Sequence, residues 1–102
     1  MGIRIVYLGT SAFAVPTLAA LAENEFHVAG VITQPDKPSG RGQSLQSPPV
    51  KKKALELQLP VHQPSTLRDD AARELFVGLN PDLIVVVAYG KILPVWLLQQ
   101  IG

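Results

Sequence analysis

IRIVYLGTSAFAVPTLAALAEN, residues 3–24, changes its periodicity at a single glycine. Up to Leu8 the stretch is mostly β-branched or aromatic, the composition of a strand buried on both faces of a parallel sheet. Gly9 ends that run, and beyond it Phe13, Val15, Leu18, Ala19, Leu21 and Ala22 supply an apolar helical face. Pro16 is tolerated only in a first helical turn, because deeper in it would remove a hydrogen bond and strike the preceding turn. A helix is therefore predicted to start between Ala12 and Val15 and to end near Asn24.

The rest of the chain repeats this alternation. HVAGVIT (27–33) reads as a second strand, with Gly30 a point of close packing. In SPPVKKKALEL (47–57), Ser47 is predicted as an N-cap with Pro48 at the first helical position, and Val50, Ala54 and Leu57 recur at helical spacing. LPVHQP (59–64) is a short third strand between prolines, and Thr66 or Asp69 can cap the helix whose Ala72, Leu75, Phe76 and Leu79 face the core. DLIVVVAYG (82–90) is the clearest strand, apolar on both faces, and LPVWLLQQIG (93–102) reads as a short helix begun by Pro94.

Strands alternating with helices specify an α/β fold, an open parallel sheet in Rossmann-like β-α-β-α-β-α-β order. The expected sheet order is 3-2-1-4, which makes the first and fourth strands neighbours where the connections change direction. Ligands bind at the carboxyl ends of such strands. Here those ends carry GTSAFA (9–14) and AYGKILP (88–94).

Composition narrows the function. The chain has 102 residues, 47% of them hydrophobic, enough for one core, and no cysteine, which excludes disulfides, thiolate metal sites and a cysteine nucleophile. The apolar run IVYLG is too short for a membrane span or a signal-peptide core, so a soluble, cytoplasmic protein without a membrane partner is expected. The net charge of +1 hides an asymmetry. Between Gln34 and Lys53, Lys37, Arg41, Lys51, Lys52 and Lys53 face only Asp36, whereas acids outnumber cations elsewhere.

Much of that charge lies in or just after TQPDKPSGRG (33–42), whose prolines and glycines exclude a helix or a central strand. It reads as a loop, long for a connection between a strand and a helix, and such loops tend to carry function. Lys51, Lys52 and Lys53 fall near a helix start, where the macrodipole disfavours cations; either plain solvation or an anionic partner accounts for them. GTSAFA lacks the further glycines of a dinucleotide loop and the lysine of a phosphate loop. Thr10 and Ser11 either line a ligand pocket or form a tight turn with Phe13 half buried. Ile92 and Leu93 either wall a pocket for a planar heterocycle or start a packed helix. His27 and His62 have no ligand or triad spacing, so no metal site is expected, and the strand ends hold no plausible general base or nucleophile.

LGTSAFAVPTLAAL (8–21), GVITQPDKPSGRG (30–42), SPPVKKKALELQLPVHQP (47–64) and LIVVVAYGKILP (83–94) together resemble the N-terminal half of the catalytic domain of the methionyl-tRNA formyltransferase family. The cationic stretch is the specific part of the likeness. The resemblance implies transfer of a formyl group from 10-formyltetrahydrofolate to the amino group of methionyl initiator tRNA, by a monomeric enzyme without a metal. It implies that Tyr89, Gly90, Ile92 and Leu93 form the folate pocket, and that Thr10, Ser11 and Phe13 lie near the aminoacyl end. Lys37 and Arg41, with Lys51, Lys52 and Lys53, would engage the tRNA. Ser11 and Ala12 stand where the family commonly has proline and an acidic residue, and Gln43 and Ser44 stand where it often has two lysines. The family's catalytic motif and its C-terminal tRNA-binding domain would lie beyond Gly102, so residues 1–102 are expected to be a truncated formyltransferase domain without catalytic residues, inactive alone. The alternatives are a formyltransferase for another amine, such as an amino sugar nucleotide, and a nucleotide-binding or interaction module without chemistry.

Overall fold

A computed structural model of the chain describes residues 3–24, 26–39 and 44–98. Strand β1 (Arg4–Gly9) lies inside a four-stranded sheet between β2 (His27–Ile32) and β6 (Leu83–Val87), and β5 (Val61–His62) extends the sheet beyond β2. All three pairings are parallel, in the order β5-β2-β1-β6. In chain order of the main-sheet strands this is the expected 3-2-1-4. The connections hold α1 (Val15–Glu23), α2 (Pro49–Glu56) and α3 (Asp70–Leu79), and α4 (Val95–Leu98) follows β6. Between β2 and α2 the chain also forms β3 (Lys37–Ser39) and β4 (Ser44–Gln46), an antiparallel pair in the segment read as loop.

The alternation of side chains along β1 divides the core. Val6 and Leu8 meet Ile32, Leu67, Ala72, Phe76 and Leu97 on one face, whereas Tyr7 meets Ala14, Leu18, Val28, Val31, Val50 and Ala54 on the other. Ile5, Val6, Tyr7 and Leu8 have no exposed surface, as a strand covered on both faces requires. β6 differs. It is an edge of the described sheet, and its Leu83 and Val86 remain 44% and 41% exposed despite the same apolar composition.

Local chemistry explains where the elements start and stop. A 3₁₀ turn over Ala12–Ala14 leads into α1, with Pro16 in the first turn as predicted. Gly9 fits only as glycine, because a Cβ there would come within 2.8 Å of the Ala14 Cβ and 3.0 Å of the Val87 carbonyl oxygen. Asp69 caps α3 by accepting from the Ala72 N–H at 2.9 Å. At the other end, Arg4 donates to the Leu79 carbonyl through Nη2 at 2.7 Å, placing a cation on the negative end of the helix, and Asn80 turns away with φ 47°. Trp96 pins α4 to this layer, packing edge-on against Phe76 at 5.5 Å and donating to the Leu67 carbonyl at 2.9 Å.

The start of α2 corrects a prediction. Ser47 is not its cap. The helix begins at Pro49, and Pro48 stays extended with ψ 148°, because the ring of a following proline excludes the helical conformation from the residue before it. The Ser47 hydroxyl donates instead to Asp36 at 3.3 Å.

Two substitutions test this packing. Gly9→Ala crowds backbone as well as side chains and is expected to lower stability by ~1–3 kcal/mol. Asp69→Ala removes one capping bond and should cost about 1 kcal/mol. Denaturant unfolding of the two variants measures both, and a Gly9→Ala loss well below ~1 kcal/mol would contradict the packing described for Gly9.

Candidate functional site

The carboxyl ends of β1, β2 and β6 meet where Gly9, Ile32 and Val87 hand the chain to its loops. Thr10, the first residue beyond β1, joins all three. Its N–H donates to the Ala88 carbonyl at 3.1 Å, its hydroxyl donates to the Tyr89 carbonyl at 2.7 Å, and the same hydroxyl accepts from the Gln34 N–H at 3.4 Å. Gln34, 6% exposed, returns its side-chain amide to the Tyr89 carbonyl at 3.2 Å. The β6 exit is thereby fixed in an irregular path, with Ala88 at φ 48° and Gly90 at φ 100°. Gly90 is required by that angle, which a side chain would strain.

Thr10, Ser11, Gln34, Lys37, Ala88, Tyr89, Gly90 and Lys91 line a cleft of about 230 Å³ at this junction. Beside it, Thr66, Leu67, Arg68, Lys91 and Ile92 line a second hollow of about 320 Å³, and Lys91 borders both. Lys91 reaches across to the Ser65 carbonyl at 2.7 Å, and Arg68 lines the same second hollow. A third hollow, about 480 Å³, lies between the end of β5 and the first turns of α3. Among the described residues no group of three potential metal ligands occurs, and no helix is long and apolar enough to cross a membrane.

Two residues lining the cleft, Ser11 and Tyr89, have hydroxyls that are buried without a partner among the described residues. Burial pushes the Tyr89 phenol up from its ordinary pKa. No carboxylate or imidazole is among the described residues lining the cleft.

The structure separates the sequence-predicted site residues into groups. Thr10, Ser11, Lys37, Tyr89 and Gly90 come together at the cleft. Phe13 does not join them; it is 86% exposed on the 3₁₀ turn, where the half-buried position read for it is not found. Ile92 is 85% exposed and borders the second hollow, while Leu93 packs against the core beside Trp96. Lys51 is held by Asp36 at 3.1 Å, Lys53 lies 3.9 Å from Glu56, and Lys52 is exposed. Arg41 lies outside the described residues.

Sequence reasoning passed over Gln34, Asp36, Gln63 and Lys91. One signal was available, since Asp36 is the only acid in a cationic segment. Its carboxylate accepts from the Gln63 amide at 2.7 Å, from Lys51 at 3.1 and 3.2 Å and from the Ser47 hydroxyl at 3.3 Å. The Gln63 bond first, and Lys51 next, hold this carboxyl below the usual carboxylate range, against a smaller opposing effect of burial.

The formyl transferase family matches residues 3–102 of this chain. Methionyl-tRNA formyltransferase from Alkaliphilus oremlandii is 54% identical over 96 residues, which are 94% of this chain and 31% of that protein. The protein of the same name from Hydrogenobaculum is 54% identical over 96 residues, and that from Coxiella burnetii is 50% identical over 94 residues. The chain thus spans about a third of the length of these relatives: 31% of the first two and 30% of the third.

A depressed carboxyl pKa contributes stability that is fully present above the unfolded value, about 3.9 for aspartate, and is lost as pH falls through the lower folded value. The contacts of Asp36 should therefore survive mild acid. An NMR titration is expected to place the Asp36 midpoint below ~3.9, and Lys51→Met to move it upward; a midpoint unaffected by that substitution would rule out the pairing.

Proposed function

The chain belongs to the formyl transferase family, and on that premise we propose that residues 1–102 are the N-terminal portion of the catalytic domain of a methionyl-tRNA formyltransferase. The reaction is transfer of a formyl group from 10-formyltetrahydrofolate to the amino group of methionyl initiator tRNA. The observation that carries this reading is the junction at Thr10, where a cleft for a small ligand adjoins the base of a cationic hairpin.

The fit to a folate rests on two features. Around Gly90 the irregular backbone leaves an open cleft edge, suited to a flat ring system held by main-chain groups. In the adjoining hollow, Arg68 and Lys91 supply the positive charge that a carboxylate tail needs, with Ile92 as an apolar wall. When bound, the folate supplies the formyl group. The chain's own residues bind and orient. Tyr89 and Gly90 shape the pocket edge, Thr10 and Gln34 fix its position, and Ser11 lines the cleft on the side assigned to the aminoacyl end. Leu93 supports this edge from the core, and exposed Phe13 is available to an incoming partner. Lys37, Arg41 and Lys52 contact tRNA phosphates, while Lys51 and Lys53 act nearby through the field they add. Proton transfer and oxyanion stabilisation fall to groups outside residues 1–102.

The test uses the full-length gene product with 10-formyltetrahydrofolate and methionyl initiator tRNA. Formyl-methionyl-tRNA is the expected product, and formylation of an amino sugar nucleotide in its place would overturn the tRNA assignment. Lys37→Ala is expected to raise the KM for tRNA severalfold and to reduce the salt dependence of tRNA binding by about one unit of slope. Lys91→Ala should instead raise the KM for the formyl donor. If both variants moved the same constant, the division between the two surfaces would be wrong.

A further inference from the structure

We infer that Asp36 is a positioning residue, which fixes the base of the β3–β4 hairpin beside the cleft so that the hairpin can present tRNA to it. This inference rests on the reading above for its consequence and on the side-chain geometry alone for its existence. Asp36 directly precedes Lys37, the first residue of β3 and a residue that lines the cleft. Its carboxylate meets donors from three separate parts of the chain: Ser47 just after β4, Lys51 on α2 and Gln63 just after β5. The Gln63 amide nitrogen also donates to the Gln34 carbonyl at 3.1 Å, and the Gln34 side chain donates to Tyr89. A continuous path of hydrogen bonds therefore runs from the hairpin base to the cleft edge.

The residue type follows from this surrounding. An ionised carboxylate only accepts, so it satisfies three converging donors at once. An asparagine would turn an N–H toward at least one donor and would lose the charge that holds Lys51. The Asp36 side chain is 23% exposed, and that of Lys51 is 21% exposed, so the pair is partly withdrawn from water and gains more than a fully solvated pair would. Asp36 also occupies the Lys51 ammonium. The cationic character of this region is thereby shifted from the base of the hairpin toward Lys37 and Lys52, which have no ion pair among the described residues.

The experiment compares full-length wild type, Asp36→Asn and Lys51→Met by hydrogen exchange and by steady-state kinetics. In Asp36→Asn the amides of Lys37, Ser39 and residues 44–46 should exchange roughly tenfold faster, as expected for loss of a charge-assisted anchor. The KM for tRNA should rise about tenfold while the KM for 10-formyltetrahydrofolate stays within about twofold, a split that general loss of structure would not give. Lys51→Met leaves two donors on Asp36 and should change the same quantities in the same direction by less, which keeps the test open if the first variant folds poorly. Unchanged exchange in the hairpin overturns the inference, and so does faster exchange with an unchanged KM for tRNA. Should the wild type fail to formylate methionyl-tRNA, the proposed function falls, and the anchoring role of Asp36 is then judged by hydrogen exchange alone.

Discussion

The burial of β1 on both faces and along both edges is the constraint on which the other elements depend. Parallel pairing to β2 and β6 satisfies its backbone, and covering both faces requires a helical layer on each side. Each fully buried aliphatic side chain of β1 contributes on the order of 1.5–3 kcal/mol, so a polar residue or a break here would undo both layers together. Because the strands are parallel, their carboxyl ends emerge on one side. The loops after β1, β2 and β6 then meet, and Thr10, Gln34 and Tyr89 come within hydrogen-bonding distance although they are far apart in the chain.

That convergence puts two kinds of surface side by side. One is rigid, made of strand ends and of backbone fixed by the Thr10 and Gln34 bonds. The other is the hairpin, built from three-residue strands and tied to the body of the domain at its base. A rigid cleft suits a small ligand, for which preorganisation reduces the entropy lost on binding. A short cationic hairpin suits a large polyanion, for which charge steers the approach and placement follows.

The layout was legible in the sequence because the chain obeys simple rules where it is buried. IVYL and LIVVV are the apolar runs of parallel strands, Pro16 and Asp69 mark helix starts, and the alternation of types leaves few topologies open. What escaped notice lies where residues far apart in sequence meet. The hairpin could not be read from KPS and SLQ, since three-residue strands rich in proline and serine carry no periodicity. Ser47 followed by Pro48 looks like a capped helix start, and only the second proline, acting on the backbone of the first, moves the boundary. Gln34 and Gln63 look like ordinary surface amides until the fold brings one to Tyr89 and the other to Asp36. The exposure of Ile92 and Phe13 was hidden for a related reason. Apolar residues read as interior by default, whereas Ile92 and Phe13 stand 85% and 86% exposed.

Charge in this chain shows the same separation between composition and use. Counted along the sequence, residues 34–53 form a block of cations relieved by one acid. In the fold that acid is the organising centre, because a single carboxylate surrounded by donors fixes a hairpin that has little apolar surface of its own with which to hold itself in place. The exposed part of its hydrophobic content makes the point, since Leu45 on β4 is 66% exposed and adds little packing. Polar anchoring has a physical advantage at such a place. A hydrogen-bonded carboxylate holds position through directional bonds, and because neither Asp36 nor its three donors is among the residues lining the cleft, the anchor leaves the cleft open.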